Sequence, residues 1–198
     1  MKHQTLLFAA LLTVSPWGSA ETAQTYTYYD VGKPKTLQLM PNLVADFAAE
    51  TENQAQARSV GENVVKSISP GAQLTDQGGG NARIWKTDVA VNPNAIQARS
   101  YGTAQDGGTL SPVFQEGGTL KALPGGVVVN FAAGTTQDQA NDWAVSKGYS
   151  VKEKLSFGNY YLIDTPAGME SLNLANQWQA SGEVVSSTPN WWRQLQAK

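Results

Sequence analysis

Gly126-Val127-Val128-Val129-Asn130-Phe131 is the stretch of sequence that decides the fold. This β-branched run is entered through Pro124-Gly125 and predicts a β-strand. A capping box at Thr136-Gln137-Asp138-Gln139 predicts that a helix follows, and Gly148 marks its end. Periodicity predicts the later elements as strands at 149–155 and 160–164, a helix at 169–179 and a strand at 183–188. The predicted order is β-α-β-β-α-β, a ferredoxin-like antiparallel sheet with both helices on one face.

A weaker copy of the same pattern lies nearer the N-terminus. Residues 39–51 align with residues 123–135 at a constant offset of 84. Further along, Ser111-Pro112 echoes Thr188-Pro189 in the same order. Two strands of similar composition would also give the first match by chance, but the conserved order of several matches favours a repeat.

We therefore predict an α+β protein built from two tandem modules. A divergent module covers residues 21–117, and the ferredoxin-like module covers residues 118–190. Glu116-Gly117-Gly118 is predicted to be a short linker between them. In the first module we expect a hairpin turn at Gly32-Lys33-Pro34, a helix at 53–66 and a flexible loop at 78–80.

Residues 1–20 have the features of a secretory signal peptide: a basic start, an apolar core and small residues before a cut after Ala20. A membrane anchor is the alternative, but the apolar core is about half the ~20 residues that a spanning helix needs. We therefore expect a secreted or periplasmic protein without a membrane segment. The mature chain would carry 13 basic and 16 acidic residues without a dense basic patch, so nucleic acid is not the expected partner.

The composition argues against the common catalytic and metal-binding centres. The chain has no Cys, and its one histidine, His3, lies in the predicted signal peptide. The mature protein would lack a histidine-based nucleophile system and the nitrogen and sulfur ligands of zinc. We expect a protein that is not an enzyme and that has no catalytic residue, metal or cofactor. A hydrolase using two carboxylates is a weaker alternative, because no Asp/Glu motif supports it.

The strands of the second module carry apolar residues at consecutive positions, so both faces of its sheet would be apolar. A sheet of this kind needs a second cover besides its helices, because large exposed apolar patches usually mark interaction sites. Val128, Tyr161 and Ile163 are the candidate docking residues within these strands. The first module or a partner protein could supply the cover, and the sequence favours neither.

The C-terminal segment, residues 191–198, is predicted to be an extended tail. Pro189 discourages continuation of the last strand inside a sheet. Asn190, Trp191 and Trp192 are added to the candidate docking surface, because large aromatic side chains are seldom left in solvent. The alternatives are a frayed terminus and tryptophans that pack on the protein's own body.

Residues 126–190 resemble the propeptide of subtilisin-like serine proteases. The resemblance rests on the Val-Val-Val-Asn-Phe strand, the helix ending Lys147-Gly148-Tyr149, the Gly158-Asn159-Tyr160-Tyr161-Leu162 strand and the ending Val184-Val185-Ser186-Ser187-Thr188-Pro189-Asn190. It implies that the sheet packs on surface helices of a protease and that the tail enters the substrate cleft. Because no protease domain follows, it implies action in trans, as an inhibitor or as an external folding chaperone of a secreted, kexin-like subtilase.

The resemblance also implies roles for individual tail residues. The cleft-binding residues would be Arg193, Gln194, Leu195, Gln196, Ala197 and Lys198. Lys198 would fill the primary specificity pocket, and Leu195 would meet a subsite that accepts apolar side chains. The chain departs from the family at Thr188-Pro189-Asn190, where family members carry acidic residues that cap helices of the protease; Glu183 is more distant.

A second hypothesis is a periplasmic module that binds carbohydrate or peptide on its five mature tryptophans. Trp143 and Trp178 fall on the apolar faces of predicted helices and are expected in the core instead.

Overall fold

The computed structural model describes residues 23–48, 54–97, 100–101 and 107–195. Within these residues the chain is α+β, with four helices and two antiparallel sheets. The predicted signal peptide at 1–20 lies outside them. No helix in the described part of the chain is long and apolar enough to cross a membrane.

The second half of the chain forms the elements that its strand and cap signals predict. They are β8 (Val127–Asn130), α3 (Gln137–Ser146), β9 (Ser150–Lys154), β10 (Tyr160–Asp164), α4 (Met169–Ser181) and β11 (Ser186–Pro189). The strands pair in the order β11-β8-β10-β9, and every pair is antiparallel. The first strand of the set therefore lies in the middle of the sheet.

Local signals and an apolar core fix the helices on this sheet. The predicted capping box is present: Thr136 Oγ1 accepts from the Gln139 backbone N–H at 3.2 Å, and Gln139 Oε1 accepts from the Thr136 N–H at 2.9 Å. Both helices pack on the same sheet face, in a buried cluster of Val127, Val129, Phe131, Ala140, Ala144, Tyr161, Ile163, Ala175, Trp178 and Val184. The opposite face of the sheet carries no helix from the described residues of this half.

The first half forms a larger sheet from eight strands. Its elements are β1 (Thr25–Asp30), β2 (Lys33–Ala48), α1 (Gln54–Ile68), β3 (Gln73–Leu74), β4 (Ala82–Lys86), α2 (Pro93–Gln97), β5 (Ser100–Tyr101), β6 (Gly108–Glu116), β7 (Thr119–Ala122) and, from the C-terminal segment, β12 (Trp192–Arg193). The main path is β12-β7-β6-β2-β4-β3, with β1 added to β2 and β5 added to β6. Apart from the inserted short strand β5, the elements β2-α1-β3-β4-α2-β6 have the same order along the chain as β8-α3-β9-β10-α4-β11. The strand order β6-β2-β4-β3 in the first sheet likewise matches β11-β8-β10-β9 in the second.

The sequence alignment of the two halves is one residue out of register. An offset of 84 pairs Val44 with Val128, yet Val44 faces the helices of its sheet and Val128 faces away from its own. By strand pairing, Val44 lies opposite Pro112 and Val127 lies opposite Pro189, so these two valines are equivalent. A slip of one residue exchanges the two faces of a strand, which composition alone does not reveal.

Two predicted connections are tight hairpin turns. Gly117 and Gly118, expected in a linker, have φ of +55° and +87° and join β6 to β7 within the first sheet. The chain crosses to the second sheet only after Ala122. The N-terminal hairpin turns at Val31-Gly32, because Asp30 pairs with Lys33, and not at Gly32-Lys33-Pro34.

A continuous two-stranded ribbon, the junction ribbon, connects the sheets. One side runs from β7 into β8 and the other from β11 into β12, and the two sides pair antiparallel at both ends. At the crossing, the Asn190 side-chain amide donates to the Gly125 carbonyl at 3.1 Å and its backbone N–H donates to the Gly126 carbonyl at 3.0 Å. Both glycines have positive φ, and a Cβ on Gly125 would lie 2.9 Å from the Thr165 carbonyl oxygen, so glycine is required.

Helix α4 fastens the two sheets together from a second direction. Met169 and Leu172 on this helix are buried in a cluster with residues of the first sheet, namely Tyr28, Leu37, Leu39 and Phe114. Its later turns carry Ala175 and Trp178 into the core of the second sheet. One helix therefore contributes to two cores, which couples the halves mechanically.

The Val31-Gly32 turn carries a removable strain. Val31 is β-branched and 70% exposed, and its φ is +48°, in the left-handed region that disfavours such residues. With Gly32 at +73° the turn has the type I′ pattern, in which Asn-Gly is preferred.

We predict that Val31→Asn stabilises the protein by about 1 kcal/mol, because asparagine tolerates this backbone conformation. Urea unfolding should show a higher midpoint with an unchanged m-value. Val31→Thr is the control, since it keeps the β-branch and should give no gain. Equal midpoints for the two variants would contradict the assignment of strain.

Candidate functional site

The face of the second sheet that lies opposite its helices is the candidate site, and we call it the open face. Val128 points to this face from β8, and its partner across the sheet is Leu162 of β10. Thr188 of β11 extends the same row on the other side of Val128. These three side chains are half-buried, in contrast to the fully buried Val127 and Val129 that alternate with Val128.

An aromatic pair extends the open face at one end. Tyr160 is two residues from Leu162 and therefore shares its face. Phe157, in the turn before β10, is 61% exposed, and its ring centroid lies 5.2 Å from that of Tyr160. The first half packs on the second mainly through α4 and the edge strand β11, away from these residues. The open face thus presents a valine, a leucine and two aromatic rings together with polar groups, because Asn130 pairs with Tyr160 and the exposed Glu153 pairs with Leu162.

Two of the predicted docking residues lie on the wrong face. Tyr161 and Ile163 are fully buried against the helices, so neither is available to a partner. The prediction grouped them with Val128, but Val128 pairs with Leu162, and cross-strand partners share a face. Tyr160 and Leu162 are the residues that it missed. The strand assignment of Tyr160-Tyr161-Leu162-Ile163 indicates that alternate residues face opposite sides of the sheet. It does not indicate which two of them face the helices.

The predicted tail is bound to the protein's own body at its start. Trp192 and Arg193 pair with Ala122 and Lys121 of β7, and the Gln194 N–H donates to the Leu120 carbonyl at 2.9 Å. Arg193 and Gln194 are therefore held at the edge of the first sheet. Three of the six predicted cleft residues are therefore described. Among these three, Leu195 is the one that projects from the sheet, and it is 91% exposed. Gln196, Ala197 and Lys198 lie outside the described residues.

Trp191 packs into the first sheet next to a buried polar cluster. Its ring centroid lies 5.1 Å from that of Tyr28, and the Lys121 ammonium lies 5.4 Å from the Trp191 ring. Lys121 also donates to the Tyr28 hydroxyl at 2.7 Å and forms an ion pair with Glu116. This tryptophan is therefore part of the protein's own packing, as the alternative reading of the sequence allowed.

Electrostatics show how this cluster tolerates burial. Burial lowers the pKa of Lys121, and the hydrogen bond to Glu116 opposes that shift. Burial also acts to raise the pKa of Glu116, but hydrogen bonds from Lys121 and Tyr28 outweigh it and leave that pKa lowered. The lowered pKa of Glu116 favours its carboxylate, which forms the ion pair with the Lys121 ammonium. The pair and the cation–π contact anchor the base of the C-terminal segment.

Trp192 closes the face of the first sheet that corresponds to the open face of the second. That face holds a buried cluster of Ala45, Phe47, Ala82, Ile84, Val113, Leu120 and Ala122, against which Trp192, Met40 and Leu43 pack. The Trp192 ring centroid lies 6.5 Å from that of Phe47, and its indole N–H donates to the Gly79 carbonyl at 3.1 Å. The predicted flexible loop at 78–80 is thus a partner of the C-terminal segment.

The other tryptophans do not form a platform either. Trp85 and Trp178 are 2% and 3% exposed. Trp143 packs edge-to-face on Trp178 with ring centroids 5.1 Å apart, and its indole N–H donates to Glu183 at 2.9 Å. These contacts place Trp85, Trp143 and Trp178 in the protein's own packing, as expected for Trp143 and Trp178.

Glu183 is held on the helix side of the sheet. Lys147 forms an ion pair with it at 2.7 Å. The hydrogen bond from Lys147, followed by that from Trp143, lowers the pKa of Glu183. The carboxylate therefore links the end of α3 to the segment before β11 and does not face the open side.

Within the described ranges, no group of three or more His, Cys, Asp or Glu side chains is placed to hold a metal ion. No protein-family model matches the chain, and comparisons with curated proteins and with solved structures find no similar protein.

We predict that Trp192→Ala destabilises the protein by about 2 kcal/mol, because it uncovers the cluster around Phe47 and removes one of the two donors to the Gly79 carbonyl, the other being the Ala82 N–H. Leu195→Ala is the control and should change stability by less than about 0.5 kcal/mol, since this side chain is exposed. Thermal unfolding followed by circular dichroism measures both. Similar losses for the two variants would contradict a structural role for Trp192.

Proposed function

We propose that this protein binds a subtilisin-like serine protease, as a separate molecule, through the open face of its second sheet. The observation that carries the proposal is the row of Val128, Leu162 and Tyr160 on a sheet face without a helix of its own half. The apolar part of this face suits packing against the helices of a partner, which would bury it, and its polar residues would lie around that contact.

The topology supports the same assignment. We interpret the order β11-β8-β10-β9, with α3 and α4 on one face, as a ferredoxin-like unit of the kind found in subtilase propeptides. We interpret β2 to β6 as a divergent second copy, because its four equivalent strands have the same order. The hypothesis of tandem modules then explains why the sequence carries a degenerate repeat.

The two copies would have different roles. In the first, Trp192 and its neighbours cover the face that corresponds to the open face. In the second, the equivalent face keeps Val128 and Leu162 accessible. On this proposal only the second copy docks on the protease by its sheet, and the first serves as its rigid support.

The segment that would reach the substrate cleft is shorter than the sequence predicts. Arg193 and Gln194 contribute hydrogen bonds to the first sheet, so we propose that cleft insertion begins at Leu195 and involves Gln196, Ala197 and Lys198. The protein would be a non-catalytic inhibitor or folding chaperone, secreted or periplasmic, without a cofactor. Refolding yields of denatured protease with and without the protein would distinguish a chaperone from a simple inhibitor.

We predict that Leu162→Asp weakens binding to an active-site-blocked subtilisin-like protease by about 30-fold, because it places a charge in the centre of an apolar interface. Val145→Asp is the matched control. Val145 is 69% exposed on α3, on the helix side of the sheet, so the same change there should leave binding unaffected. Biolayer interferometry with immobilised protease measures both affinities, and circular dichroism confirms that each variant is folded. Equal affinities for the two variants would exclude the open face as the docking surface.

We also predict that removal of residues 196–198 separates inhibition from binding. A chain ending at Leu195 keeps the described contacts of β12, so it should still bind the blocked protease. Its inhibition constant against a peptide substrate should rise about tenfold or more, because the cleft would lose its occupant. Unchanged inhibition would show that the tail does not enter the cleft.

A further inference from the structure

A cleft lies where the two sheets meet, and it is distinct from the open face. Its volume is about 540 Å³, within the range of pockets that bind ligands or peptide side chains. The first half supplies Phe47, Asn81 and Thr109 to its walls, and the second half supplies Lys152. Trp192 lines it from the junction ribbon.

The junction ribbon preforms this cleft. The hydrogen bonds from Asn190 to Gly125 and Gly126 fix the crossing, and α4 fastens the two halves independently. Asn190 and Gly125 are themselves part of the lining. Walls that are already fixed lose little conformational entropy when a partner enters, which favours binding.

Among the described lining residues, the charge of the cleft has one sign. Lys152 is the only charged side chain among the described lining residues, and no Asp or Glu is among them. Within the described part of the chain, the Lys152 ammonium forms no hydrogen bond or ion pair. Asn81 and Thr109 add polar groups on the opposite wall. A carboxylate is the complement of a cleft that carries a single cation on one wall and amide and hydroxyl groups on the other.

The cleft is continuous with the open face. A Cβ built on Gly126 would lie 2.8 Å from Leu162 Cδ1 and 3.5 Å from Asn190 Cβ. Leu162 belongs to the open face and Asn190 lines the cleft, so the two surfaces meet at Gly126. A protein that covers the open face would extend over the mouth of the cleft.

We propose that the cleft receives an acidic surface segment of the docked protease, with an Asp or Glu carboxylate paired to Lys152. This proposal rests on the proposed function and gives the first half a direct part in recognition through Asn81 and Thr109. The open face would supply apolar contact, and the cleft would supply charge selectivity and faster association.

The test compares charge changes inside and outside the cleft in the full mature chain, with the active-site-blocked protease as the probe. Lys152→Glu should weaken binding on the order of tenfold, mostly through slower association, and should flatten its dependence on salt. Lys154→Glu is the matched control on the same strand; Lys154 lies over the Tyr161 ring and does not line the cleft. Asn81→Glu should act like Lys152→Glu, while Asn94→Glu, elsewhere on the first half, should not.

Losses confined to Lys152→Glu and Asn81→Glu would support the cleft as an acidic-segment site. If Leu162→Asp abolishes binding while Lys152→Glu behaves like Lys154→Glu, the inference is wrong and the docking face stands. If the unaltered protein binds no subtilisin-like protease, both proposals are overturned together.

Discussion

The junction ribbon is the constraint on which the rest of the structure depends. Because β7 continues into β8 and β11 continues into β12, each sheet fixes the direction in which the other begins. Asn190 secures the crossing at two backbone carbonyls, where only glycines fit. The ribbon delivers Trp192 to the first sheet and leaves the opposite side of the second sheet open. The candidate docking face and the neighbouring cleft are therefore consequences of one connection.

The ribbon also makes two similar halves behave differently. Both sheets have helices on one face and the same order of four strands. The first is completed by β7, β12 and the packing of Trp192, and is further anchored by Lys121 and its partners. Within the described residues, the C-terminal segment gives the second sheet no such cover, so Val128 and Leu162 remain half-exposed. On the proposed function, the C-terminal segment is the feature that would separate a supporting half from a binding half.

Local sequence signals predicted most of the secondary structure of the second half. The Thr136 capping box, the β-branched strand at 127–130 and the apolar positions of α4 were all visible in the sequence and are confirmed. The sequence of β10 does not show which of its alternating residues face the helices, so Tyr161 and Ile163 were assigned to the wrong face. The pairing of β12 with β7 joins residues about seventy positions apart and leaves no local signal, so the tail was expected to be free. For the same reason the cleft, whose walls come from distant segments, could not be anticipated.

The most direct test of the docking face is hydroxyl-radical footprinting of the protein, alone and saturated with an active-site-blocked subtilisin-like protease. Tyr160 and Phe157 report on the open face, and Val145 reports on the helix side. The account predicts that the protease strongly reduces oxidation of both aromatic rings and leaves Val145 unchanged. Oxidation of Tyr160 and Phe157 at the same rate with and without the protease would contradict it.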